Sequence, residues 1–166
     1  MRDSENLLLK AAEGAAAGLV GTLLLRGIMT ASAKLAPSTL PPMRQDPGEF
    51  MVEQGKQVLS TQARGAMAGK PEKAAAMGLS LGYGMTFGAL YGLFRPRGGS
   101  MLRDGALLGL SNWAIGYLGW LPATGLMPPV WRHEPKQIAS ATAGHALYGM
   151  ATVAAYDLMN EQRVRV

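Results

Sequence analysis

Apolar positions along the chain gather into four long stretches, separated by polar, proline-rich or basic connections. The stretch 74–94, AAAMGLSLGYGMTFGALYGLF, carries neither charge nor proline. At 1.5 Å per residue a helix of that length spans roughly 30 Å, the thickness of a bilayer's hydrocarbon core. On a helical wheel Ala74, Ala75, Gly78, Gly82, Gly84, Gly88, Ala89 and Gly92 share one half. Leu79, Tyr83, Phe87, Leu90 and Phe94 take the other. In water each glycine would weaken the helix by roughly 1 kcal/mol against alanine. In lipid the backbone finds no other partner, so the helix forms and its glycines make a flat packing face. The same pattern predicts spans at about 11–35, 105–121 and 138–159. In the first, Gly14, Gly18 and Thr22 recur every four residues as a small-residue face. In the third, Gly105, Gly109, Gly116 and Gly119 interrupt the apolar run, Trp120 suits an interfacial belt, and Pro122 ends the helix. Ala139, Ala143, Gly144, Ala151 and Ala155 give the fourth a close-packing composition.

The connections divide by proline content. Residues 36–73 form a long extramembrane loop whose first part, PSTLPPMRQDPGEF, cannot be one continuous helix. Asp46-Pro47-Gly48-Glu49 reads as a helix start, with a capping aspartate, a proline in the first turn and a glutamate three residues on. From there to about Arg64 a weakly amphipathic helix is expected, its apolar side made of Phe50, Met51, Val58 and Leu59. It lies on the membrane surface or packs as a solvated loop helix. Residues 95–99 read as a tight basic turn, and the four-proline segment 122–135 as a stretch lying along the interface. The expectation is one all-α domain over residues 1–166: a polytopic membrane protein with four transmembrane helices and an interfacial helix in its first loop. Basic residues crowd the span ends near Arg2, Lys10, Arg95, Arg97, Arg103, Arg163 and Arg165, which puts both termini in the cytoplasm.

Composition agrees. Charged residues make up 16% of the chain, against about 25% in ordinary soluble domains. The net charge of +5 is spread along the chain without interleaved aromatics, which favours anionic lipid headgroups over nucleic acid as its partner. The absence of cysteine excludes disulfides, thiolate metal sites and iron–sulfur clusters. Ala31-Ser32-Ala33 has the form of a signal-peptidase site, but Arg26 interrupts the apolar region that a signal peptide would need.

Polar groups inside a membrane are costly and therefore mark candidate sites. Four stand out: Arg26, Asn112, His145 and Asp157. Arg26 and His145 each lie about seven residues from the same end of antiparallel spans, roughly 10 Å below one surface, so they are placed to meet. Asn112 lies near mid-depth and can join them. The reading as a proton or ion path, or a polar ligand site, stands beside a structural one in which Arg26 snorkels and His145 and Asn112 bond neighbouring backbone. Asp157 is expected to pair with Arg103 or Lys10. No cofactor is expected: bis-histidine haem needs two facing histidines, and His133 falls in a loop. No metal site is expected from the isolated His133-Glu134 pair, and Ser111 and Thr142 have no base to activate them. The chain is therefore read as no enzyme.

Two segments carry a family resemblance. Leu40-Pro41-Pro42-Met43-Arg44 is one, and Leu121-Pro122-Ala123-Thr124-Gly125-Leu126-Met127-Pro128-Pro129 followed by Gly144-His145-Ala146-Leu147 is the other. Together they resemble the YagU-like family of bacterial inner-membrane proteins, which has no assigned molecular function. The resemblance implies a four-helix inner-membrane protein and no reaction. The glycine faces on spans one, two and four, Gly14, Gly18, Gly78, Gly82, Gly84, Gly88 and Gly92 among them, exceed what one small bundle needs. The first functional expectation is accordingly a non-catalytic accessory or scaffold subunit packed against other membrane subunits or against itself. The second is a small proton or ion channel or transporter using Arg26, Asn112 and His145.

Overall fold

The computed structural model describes residues 2–95 and 99–164. Pro96, Arg97 and Gly98 of the expected basic turn, and Arg165 of the tail, lie outside the described residues. All elements among the described residues are helical. They are α1 (Arg2–Leu35), α2 (Pro47–Gln57), α3 (Thr61–Ala66), α4 (Lys70–Phe94), α5 (Met101–Ala114), α6 (Leu121–Ala123) and α7 (Pro135–Val164). A π-helical turn, Ile115–Trp120, joins α5 to α6. Each of the four expected apolar stretches thus lies on a helix, and α1 and α7 run well beyond the expected ends. Among the described residues only Asn6–Leu35 is both long and apolar enough to cross a bilayer by length and composition alone. Glycine, alanine and tyrosine dilute the hydropathy of α4 and α7, and the π turn divides the third stretch.

The four long helices alternate in direction, but their spatial order is α4, α1, α7, α5. Small residues set each contact. On α1, Gly14 faces the backbone of Gly88, and a Cβ on Gly18 would lie 2.6 Å from the Gly84 carbonyl oxygen. Gly84 in turn lies against the Thr22 hydroxyl, and Gly92 against the Lys10 backbone. A second face of α1 meets α7, where a Cβ on Gly21 would lie 2.6 Å from the Tyr148 carbonyl oxygen. The α5–α7 crossing is also glycine on backbone: Gly105 against Met150, Gly109 against the His145 carbonyl, and Gly149 against Gly105 and Gly109. Two tyrosines of α7 then reach diagonally to α4. The Tyr148 hydroxyl donates to the Gly84 carbonyl (2.7 Å) and the Tyr156 hydroxyl to that of Gly92 (3.4 Å). Glycine leaves those carbonyls uncovered, so the hydroxyls find them. α4 and α5, although joined by a short turn, barely touch.

These contacts correct the helical-wheel expectation for α4. Gly84, Gly88 and Gly92 pack, whereas Gly78 and Gly82 face open space with nothing within 4 Å of an added Cβ. The first half of α4 uses a different face: Ala76 and Ser80 receive Gly48 of α2. The expected helix from Asp46 to Arg64 is also two helices, broken at Val58–Ser60. Its start is as expected, with Asp46 accepting from the amides of Gly48 (2.8 Å) and Glu49 (3.3 Å) and Pro47 in the first turn. Lys56 ties α2 to the start of α4 by a 2.7 Å bond to Glu72, and this bond holds the Glu72 carboxyl below its usual range.

The distribution of side chains is inverted relative to a water-exposed bundle. Thr22, Thr152, Asn112, Asp104 and the rings of Tyr91, Tyr117, Tyr148 and Tyr156 are buried. Large apolar residues point outward on every long helix, with Leu23 55%, Phe94 77%, Leu107 59% and Leu158 61% exposed. Scattered exposed apolar residues are ordinary, but the series Leu7, Leu8, Leu9, Val20, Leu23 and Leu24 on α1 and Met101, Leu102, Leu107 and Leu110 on α5 are more than scattered.

Candidate functional site: a cavity at the splayed end of the bundle

Beyond the glycine crossings the helices part, and the space between them is a cavity of about 480 Å³. Arg26 and Met29 of α1, Tyr83 of α4, Asn112 of α5, and His145 and Tyr148 of α7 line its walls. Three of the four polar candidates therefore share one space. Asp157 does not: it sits at the opposite end, paired with Arg95, whose guanidinium also lies 5.4 Å from the centroid of the Tyr156 ring. The expected partner Arg103 instead binds its neighbour Asp104 at 2.9 Å, because Arg95 at the end of α4 is carried directly over α7.

The two proline-rich connections cover the cavity together. The Arg44 amide donates to the Leu126 carbonyl (2.9 Å), and Met43 and Phe50 pack against buried Tyr117, Leu121, Leu126 and Met127. The second connection turns back sharply at Gly125, whose φ of +75° suits glycine. The Leu126 amide donates to Leu121 (3.0 Å) and the Gly125 amide to Pro122 (3.1 Å), a Schellman closure of the short helix. Residues 122–135 thus form a folded cap over the end of the bundle, and His133 is buried with Nε2 2.9 Å from the Pro128 carbonyl. His133 thus falls in a loop, as expected, and that loop buries it.

Each polar candidate has its own bonding state. The Nδ1 of His145 lies 2.8 Å from the Ala141 carbonyl, so the proton sits on Nδ1 and Nε2 carries the lone pair. Its ring stands edge-on to Tyr117, with centroids 5.5 Å apart. Buried Asn112 lies beside the Tyr148 hydroxyl, which it supports from the α5 side. Arg26 differs from both: no carboxylate among the described residues pairs with its guanidinium, and no side chain among them accepts from it. Asp46, also on the cavity wall, accepts through Oδ1 from the two amides that it caps and from the Ser80 hydroxyl (3.4 Å). The Tyr83 and Trp120 side chains bridge the gap between α4 and the end of α5, the indole donating to the phenol oxygen at 3.3 Å.

Pattern reading found Arg26, Asn112 and His145 but missed the aromatic wall of Tyr83, Tyr117, Trp120 and Tyr148. The signal available was the four-residue spacing of Asn112, Gly116 and Trp120. A π turn re-aims the side chains after Ala114, so the spacing alone did not place them. The chemistry on offer is binding of a polar or anionic group: a cation, an amide, a neutral imidazole and phenols around an apolar space. Among the described residues no group of three metal-ligating side chains comes together. No protein-family model, no curated protein and no solved structure matches this chain.

Proposed function

We propose that the protein is a multi-pass membrane protein that takes a small polar or anionic solute into the cavity between α4 and α5, as a small transporter or channel. The observation that carries this reading is the convergence of Arg26, Asn112 and His145 on one apolar-walled space, with Arg26 lacking a counter-ion among the described residues. The length and hydropathy of Asn6–Leu35, with large apolar residues exposed on the other long helices packed around it, support a bilayer location. The resemblance to YagU-like proteins supports a bacterial inner membrane, and the crowding of basic residues near the span ends supports both termini in the cytoplasm and the proline-rich cap on the outer face. The absence of cysteine makes single-cysteine labelling a direct test. Cysteines placed at Thr39 and Thr124 should react with an impermeant maleimide in intact spheroplasts, and one at Gly99 only after permeabilisation. Labelling of Gly99 in intact cells would overturn the topology. For the site, proteoliposome flux of protons or chloride should be lost in Arg26→Leu and His145→Leu while both variants stay folded.

A second reading, an accessory subunit of a larger inner-membrane complex, draws on Gly78 and Gly82, the small-residue positions of α4 left open on the outside. It is weaker than the sequence suggests, because Gly14, Gly18, Gly84, Gly88 and Gly92 are consumed within the chain. Native mass spectrometry from mild detergent separates the two. Co-purifying subunits lost in Gly82→Leu support the accessory role, and a lone chain supports transport.

A further inference from the structure

The walls of the cavity favour a narrower ligand class than "polar solute". Apart from Arg26 and the polar groups beside it, its lining is Leu25, Met29, Met43, Met51, Tyr117 and Leu121. A bare hydrated ion gains little from such a lining, whereas a molecule with an apolar body gains from every surface it covers. A volume of about 480 Å³ lies within the range of sites that enclose a small organic molecule. The polar end is specified by charge. Arg26 presents a forked donor with no protein acceptor among the described residues, suited to a carboxylate or phosphate. Asp46, tied through Oδ1 to its cap amides and Ser80, forms no ion pair with Arg26. An entry route is also present. α4 and α5 barely touch, and the seam between them is bridged by the Tyr83–Trp120 contact rather than by packed backbone. A molecule dissolved in the bilayer reaches the cavity through that seam without crossing water.

Resting on the reading of this space as a ligand cavity, we infer that its ligand is a single-chain amphiphilic anion, its carboxylate or phosphate on Arg26 and its chain along Leu25, Met29, Met51 and Leu121. Trp120 on the cavity wall is a built-in reporter. Trp113 and Trp131 lie outside the lining and can be replaced by phenylalanine to leave Trp120 as the sole indole.

The test uses the full chain in phosphatidylcholine vesicles and titrates a dibrominated C18 fatty acid against the matching dibrominated alcohol, reading quenching of Trp120. The alcohol reports whatever quenching the bilayer itself gives. Saturable quenching is expected with the acid, at least about tenfold tighter than with the alcohol, as a charge-assisted bond predicts. Arg26→Gln should bring that ratio to about one, and Arg26→Lys should keep most of it. Equal affinity for acid and alcohol in the unaltered chain would overturn the proposal, whatever the variants do. So would the absence of saturation with either probe. In that case iodide separates the causes. Quenching of Trp120 by iodide from the aqueous side would keep the solute cavity and remove the amphiphile, and a Trp120 reached by no probe would remove both.

Discussion

The end of the bundle that holds Gly88, Gly92, Gly105 and Gly149 and the end that holds Arg26, Asn112 and His145 are built from the same four helices by opposite means. At the first, backbone meets backbone and little side-chain volume is needed; Ala17, Val153 and the edge-on pair Tyr91–Tyr156 fill what remains. At the second, the helices have passed their crossing points and diverge. Large residues are present there, but Leu126 and Met127 pack within the proline-rich cap, and Tyr117 and Leu121 pack against them while walling the gap rather than filling it. The cavity is what that choice leaves. Close glycine contact fixes where helices cross, and crossing helices must separate elsewhere, so tight packing at one end makes space at the other.

Several substitutions would break or sharpen this contrast. The largest effect is expected at the crossings. Gly88→Leu and Gly109→Leu drive a side chain into the facing backbone, which relaxes only if the helices part. Each should cost about 3 kcal/mol or more and abolish the monodisperse gel-filtration peak. Gly82→Leu, with open space around it, should leave that peak unchanged; if it fails as badly as Gly88→Leu, the assignment of faces on α4 is wrong.

At the cap, Gly125→Val forces a β-branched residue into the left-handed region and should cost about 1–2 kcal/mol in thermal unfolding. Tyr148→Phe removes the 2.7 Å bond to Gly84 and should cost about 1 kcal/mol, less than any crossing substitution. Parity between Tyr148→Phe and Gly88→Leu would mean that the diagonal tyrosine bonds, not the glycines, hold α4 in place.

The Lys56–Glu72 pair is outside the bundle and should act locally. Its bond lowers the Glu72 carboxyl from the ordinary value of 4.5, so its contribution is present above that value and fades as pH falls through the lowered one. Protection factors of the α2 amides, corrected for the intrinsic exchange rate at each pH, should fall on acidification below about pH 4.5, and Glu72→Gln should show the lower protection already at pH 7. The smallest effect on stability is expected at Arg26. With no side-chain partner among the described residues to lose, Arg26→Gln should shift thermal stability by about 0.5 kcal/mol or less, even where it removes ligand binding. A large loss of stability would show that Arg26 holds the fold rather than a ligand.

Periodicity and composition determined much of this. Long charge-free runs with glycine at four-residue spacing specify helices that pack by small faces, and Asp46-Pro47 specifies where α2 begins, because these are local properties of a few consecutive residues. The contact of Gly14 and Gly18 with α4 was legible for the same reason. The spatial order α4, α1, α7, α5 was not, since nothing in one helix says which neighbour its second face will meet. Gly21 and Gly149 acquire their roles only once α7 lies against both α1 and α5. Gly78 and Gly82 fall in the same half of the wheel as Gly84 and yet face open space, because they lie well over a quarter-turn round from it, α1 crosses only the second half of α4, and α2 takes a different face of the first. Depth alone placed Arg26, Asn112 and His145 where they could meet. Tertiary packing decided that they surround a cavity rather than touch, because their distance depends on how far crossing helices spread, and that is set by every contact in the bundle together.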